Sequence, residues 1–97
     1  MPHYISLIRY TQKGVENLKE SPKRVDATKK AFEAAGAKLK AIYWTLGQYD
    51  AIAIAEFKDD EAGLRVNLAG AMQGHVRSET LRAFTEEEFR NAISSLP

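Results

Sequence analysis

Apolar and polar residues along this chain fall into segments that switch between a period of two and a period near 3.6. Tyr4-Ile5-Ser6-Leu7-Ile8-Arg9-Tyr10 is dense in β-branched and aromatic residues and predicts a first strand. Thr11 to Glu20 holds a short helical turn around Val15 and Leu18. Ser21-Pro22 supplies an N-cap followed by proline at the first helical position. The helix it opens sets Val25, Thr28, Phe32 and Ala35 on one stripe and stops at Gly36. Leu39 to Leu46 and Tyr49 to Phe57 read as two strands with only Gly47-Gln48 between them, the pattern of a two-residue type II′ hairpin. Asp59-Asp60-Glu61 places acids at the start of a helix carrying Leu64, Leu68 and Met72, which ends at Gly74. A fourth strand follows from about Val76 to Phe84. Thr85 and Glu88 then form a capping box ahead of a last helix with Phe89, Ala92, Ile93 and Leu96 on one stripe.

The order is β-α-β-β-α-β plus a terminal helix, so the expected fold is α+β: a single domain over residues 1–97, with a ferredoxin-like βαββαβ antiparallel sheet. That topology lays its two main helices on one sheet face. Both faces are apolar, however. Ala51, Ala53 and Ala55 point one way along the third strand while Ile52 and Ile54 point the other, and in the first strand Ile5 and Leu7 oppose Ile8 and Tyr10. A terminal helix of about ten residues is too short to cover a second sheet face, and sheets apolar on both sides are buried on both. The pattern therefore predicts a homo-oligomer, a dimer or a multiple of dimers, built by sheet-to-sheet pairing.

Composition narrows the function classes. The chain has 97 residues, 44% of them hydrophobic, with 14 basic against 13 acidic side chains. No global field favours nucleic acid or a membrane surface. The charge is unevenly placed: residues 1–48 carry nine Lys/Arg against four Asp/Glu, and residues 49–97 carry five against nine. This polarity can orient subunits head to tail, although solvated helix faces account for it more simply. The lysines around the first long helix are interleaved with Glu20, Asp26 and Glu33 and lack aromatic stacking partners, which argues for a solvated face and against nucleic acid. With no cysteine, disulfides and thiol chemistry are excluded. The opening residues hold no secretory h-region and no run approaches about 20 apolar residues, so the expected location is cytoplasmic, with no membrane partner.

The stretch Thr45-Leu46-Gly47-Gln48-Tyr49-Asp50, running into Ile52, Ile54 and Glu56, resembles the Gly-x-Tyr-Asp motif of the GYD domain family. Val76 to Phe84 is similar to that family's closing strand, and the likeness extends over nearly the whole chain. The resemblance implies a dimeric α/β-barrel, in which two sheets enclose a shared cavity. It implies no particular activity. Relatives by fold include cofactor-free monooxygenases, muconolactone-type isomerases and ligand-sensing domains of transcription regulators, and a reaction taken from those is fold-level analogy.

For a regular hairpin, one face holds Ile42, Trp44, Leu46, Tyr49 and the alanines, and the other holds Tyr43, Thr45, Asp50, Ile52, Ile54 and Glu56. Two carboxylates bounding an apolar run make Asp50 and Glu56 candidates for a cavity, against the plainer readings of a turn hydrogen bond and an ion pair at the sheet end. His75, Arg77 and Glu79 alternate toward one face. They are either an edge strand's solvated side or a set that binds an anionic or phenolic ligand, with His75 as proton acceptor. Tyr43 and Tyr10 are candidate cavity walls, although strand aromatics are first of all packing residues. Two histidines without ligand spacing predict no metal, and nothing calls for a cofactor. Pro2 raises a tautomerase base, which Met1 blocks. Two readings stand: an oligomeric domain of unspecified activity that binds a small ligand between subunits, or a cofactor-free isomerase or monooxygenase acting on a small aromatic or keto compound.

Overall fold

The computed structural model describes residues 1–97. Strand β1 (His3–Tyr10) leads through helix α1 (Gln12–Glu16) and a 3-10 turn (Leu18–Glu20) into α2 (Ser21–Ala34). Strands β2 (Lys38–Trp44) and β3 (Ala51–Glu56), helix α3 (Asp60–Gln73), strand β4 (Val76–Ala83) and helix α4 (Glu86–Ser94) follow. The strands form one antiparallel sheet in the order β2-β3-β1-β4. This is the ferredoxin-like arrangement the alternation predicted. No helix is long and apolar enough to cross a membrane.

The pleat follows the predicted alternation. Tyr4 pairs with Ala55, Ser6 with Ala53 and Ile8 with Ala51, and this side faces the helices. Tyr4, Phe32, Ala55, Phe57 and Ala62 form the core there. The Tyr4 and Phe32 rings both lie 5.3 Å from Phe57, the first edge-on. The Tyr4 hydroxyl donates to Asp60 at the start of α3, whose N-cap is Asp59, accepting from the Ala62 amide at 2.8 Å. Burial, and then the Asp60 carboxylate, push the Tyr4 pKa up, so the phenol stays protonated and keeps donating.

Helix α3 turns the other way from what its large residues suggest. Ala62 and Gly63 are buried against the sheet, and a Cβ on Gly63 would lie 3.3 Å from the Phe57 ring. Close approach of helix to sheet selects these small residues. The Leu64, Leu68 and Met72 stripe, half a turn round the helix, therefore points outward and stays exposed. In α2 the predicted stripe is confirmed at Phe32, which is buried, and at Val25, which is half-buried, while Thr28 and Ala35 are exposed.

The hairpin also differs. Strand pairing ends at Trp44 and Ala51, with one further backbone bond from Thr45 N to the Asp50 carbonyl, 2.9 Å. The Thr45 hydroxyl donates to the Tyr49 carbonyl, while Asp50 is drawn to β1: its amide donates to the Ile8 carbonyl and its carboxylate accepts from the Tyr10 amide at 2.9 Å. These bonds to a third strand pull the connection out of a two-residue geometry.

The second sheet face is uncovered. His3, Ile5, Leu7 and Arg9 of β1 stand beside Ile52, Ile54 and Glu56 of β3, with Leu81 and Glu79 of β4 opposite Ile5 and Leu7. Helix α4, with its capping box complete, projects away from the body and has at most grazing contact with any other element. Only eight of 97 residues are buried, and the chain extends over 53 × 31 × 18 Å. It exposes 7161 Å², whereas a compact monomer of 10.8 kDa exposes about 5,500 Å². The radius of gyration, 14.9 Å, likewise exceeds the roughly 12.5 Å of a compact 97-residue domain.

Candidate functional site

The polar groups of the uncovered face gather at its two ends. At one end Glu56, opposite His3 on β1 and Lys38 on β2, accepts from Lys40 at 3.2 Å and lies 3.5 Å from His3 Nε2. Lys40 reaches this face because a bulge between Leu39 and Ala41 turns it there. The Lys40 ammonium, and to a smaller degree His3 and Lys38, hold the Glu56 carboxyl below the usual carboxylate range against the opposing effect of burial. Glu56 is thus an ionised anchor at neutral pH. A carboxyl whose folded pKa is depressed adds stability above its unfolded pKa and loses it as pH falls through the folded value. Glu56→Gln is therefore expected to lower the urea midpoint at neutral pH and to lose less on acidification below the carboxylate range than the parent does. Parallel acid limbs for the two proteins would contradict this.

At the other end, six residues along β1 and about 20 Å away, Arg9 and Arg77 are direct cross-strand partners. Like charges placed directly opposite destabilise a sheet. The structure offsets this by tethering Arg9: its Nε donates to the Gln48 carbonyl at 3.0 Å and its guanidinium lies 4.8 Å over the Tyr49 ring. The Tyr49 hydroxyl in turn donates to Glu79 at 3.1 Å. The Arg77 side chain forms no ion pair or hydrogen bond within the chain. Isoleucines and leucines fill the space between the two ends, with Tyr43 exposed beside Ile52.

Of the sequence candidates, Glu56, Arg77 and Tyr43 share this open face, though Glu56 and Arg77 do not converge. Tyr10 lies on the helix side, where its hydroxyl accepts from Trp44 Nε1 at 3.0 Å. Asp50 sits just beyond the strands and is held by the Tyr10 amide. His75 precedes β4, and its carbonyl accepts from the Thr11 amide at 3.0 Å. Its Nδ1 is buried without a partner. Burial first, then the Arg24 and Lys13 charges of α2 and α1, lower the His75 pKa and keep the ring neutral at pH 7.

Arg9 and His3 were missed as site residues because their significance lies in strand pairing, which local periodicity does not specify. A regular hairpin puts Tyr49 on the opposite face, whereas its ring lies under Arg9 and its hydroxyl on Glu79.

The GYD domain family model matches residues 4–93. The chain is 33% identical over 84 residues to a protein of Thermus thermophilus named glutamine synthetase and cystathionine beta-lyase binding protein, an alignment covering 86% of this chain and 88% of that one. No solved structure matches.

Proposed function

This chain belongs to the GYD domain family, and from that premise we propose that it is a homodimeric, non-catalytic domain that binds another protein, an enzyme of amino-acid metabolism. The observation that carries the reading is the outward stripe of α3. Leu64, Leu68 and Met72 are 57%, 56% and 86% exposed on a face turned away from the chain's own sheet. A contiguous apolar stripe of this kind marks an interaction surface. It runs one residue per turn along a rigid helix, which suits docking against a helix or groove of another protein. The printed name of the Thermus thermophilus relative, which describes a binder of two enzymes, supports the same class of role for this chain.

Self-association uses the other apolar surface. The exposed area in excess of a compact monomer is about 1,600 Å² per chain, the scale on which obligate homodimers bury surface. Pairing of the open sheet faces would remove most of it from water and enclose Ile5, Leu7, Ile52 and Ile54 between two sheets. The α3 stripes then remain on the outside of the dimer, available to a partner.

Titrating the protein into purified glutamine synthetase by calorimetry tests the binding role. Saturable binding is expected, weakened at least about tenfold by Leu68→Glu, which places a charge in the stripe while leaving the sheet untouched. Saturable binding that Leu68→Glu leaves unchanged would contradict the assignment of this surface. No binding would contradict the partner class.

The Arg9–Arg77 pair supports a second reading, a small anionic ligand held between subunits. Two guanidinium groups with free donors at the end of an apolar face match a carboxylate or phosphate. Acid–base chemistry is the less supported alternative, since Glu56 is fixed as an ion-pair partner and His75 stands off the open face, so an isomerase or monooxygenase has no converging acid and base there.

A further inference from the structure

We propose that α4 is an exchanged arm, seated in the groove between α2 and β2 of a second copy of the chain; this rests on the homodimer proposed above. Helix α4 spans nine residues and carries Phe89 and Ile93 on one stripe, with Leu96 just past its end; they are 60%, 51% and 63% exposed. A helix of that length is unstable in water without tertiary contacts, however well it is capped. It has almost none within its own chain. Something must cover it.

The chain offers a groove with matching shape and charge. Phe32, Leu39 and Ile42 form its floor on the helix side of the sheet; Lys29 and Glu33 of α2 stand on one rim, and Lys38 and Lys40, at the β2 edge beside Glu56, on the other, so the lining carries three bases against one acid. Neither Lys29 nor Lys38 is ion-paired within the chain. Helix α4 presents the complementary sign, with Glu86, Glu87 and Glu88 in its first turn and Arg90 as its one basic residue. Its length, about 13 Å, fits along β2, whose seven residues span roughly 23 Å.

The arm cannot reach its own groove. It leaves from β4, and the groove borders β2, at opposite edges of the sheet. When two such sheets pair face to face and close into a barrel, β4 of each copy must meet an edge of the other. Setting β4 against the partner's β4 would bring two acidic helices together and leave both lysine rims unmatched. Setting it against the partner's β2 delivers each acidic, apolar arm to a basic, apolar groove, twice by symmetry. The excess of base in the first half of the sequence and of acid in the second has its structural counterpart in this exchange.

The chain has no cysteine, so Ser94→Cys gives a single nitroxide site on the polar side of the arm. Spin-labelled copies at natural isotopic abundance are mixed with nitrogen-15-labelled copies after the mass of the particle has been read by light scattering. In a dimer, broadening of the Lys38, Leu39 and Ile42 amides of the partner is the expected result. A dimer in which those amides stay sharp, or in which only Leu7 and Ile52 broaden, overturns the exchange and leaves the dimer reading standing. A monomeric mass overturns both. Charge reversal provides the second test. Lys29→Glu and Glu86→Lys should each weaken self-association about tenfold, and an equimolar mixture should recover it, because both arm–groove contacts of the mixed dimer are again opposite in sign. Failure to recover would overturn the proposal.

Discussion

Ile54→Glu is expected to convert the proposed dimer into a folded monomer. Ile54 stands near the centre of the open face, with Ile5 beside it on β1 and Ala41 on β2. In a face-to-face pair it would be enclosed by the opposing sheet, and the two-fold axis would bring a second copy of the substitution into the same apolar space. An ionised carboxylate buried without a partner costs several kcal/mol, so the dissociation constant should rise by about a thousandfold or more. The monomer itself loses little. The face is open to water in the isolated chain, and a strand Ile-to-Glu change of propensity amounts to about 1 kcal/mol. Circular dichroism should thus keep the sheet and the α1 to α3 signal, losing at most that of the nine-residue α4, while light scattering reports half the mass. Loss of the fold together with the mass would mean that the face is part of the core of each chain, and an unchanged mass would mean that the dimer forms elsewhere.

Gly14→Ala is expected to destabilise the chain by about 3 kcal/mol, since overpacking against atoms that cannot move lies at the upper end of its usual cost. Gly14 is buried where α1 crosses the start of β4, and a Cβ there would lie 2.1 Å from the His75 carbonyl oxygen and 3.3 Å from the Tyr10 ring. The obstructing atom is backbone. It cannot swing aside, and it already accepts from the Thr11 amide. Relief would require α1 to lift, which would break that bond and the N-cap in which the Thr11 hydroxyl accepts from the Gly14 amide at 3.1 Å. For a domain of this size the melting temperature should fall by about 12 to 24 °C. A fall of under about 4 °C would show that α1 can move freely, and that the placement of His75 is not fixed by this contact.

Much of the fold was legible because it is written in local periodicity. The alternation of Ala51, Ala53 and Ala55 against Ile52 and Ile54 marks the two faces of β3, and Thr85 with Glu88 marks the start of α4 to the residue. The Gly-x-Tyr-Asp resemblance named the family that the wider comparison shows. What was not legible depends on contacts between distant segments. The orientation of α3 is decided by how closely Gly63 approaches Phe57, so its largest apolar residues lie outside, where a periodicity argument places the core. The hairpin is decided by the pull of β1 on Asp50. The Arg9–Arg77 pair depends on the pairing of the first and last strands, 68 residues apart in sequence numbering. Of the candidates on strands, Glu56, Arg77 and Tyr43 lie on the open face, whereas Tyr10 lies on the helix side. Those at strand ends, Asp50 and His75, were not placed by alternation, because the pleat stops before them.

The measurement that bears most directly on this account is the molar mass of the unmodified protein by light scattering across micromolar concentrations. The account predicts twice the 10.8 kDa chain mass, or a multiple of that dimer, with no dissociation over the range. A mass of one chain throughout would contradict it, because the apolar sheet face and the projecting helix would then stand in water with nothing to cover them.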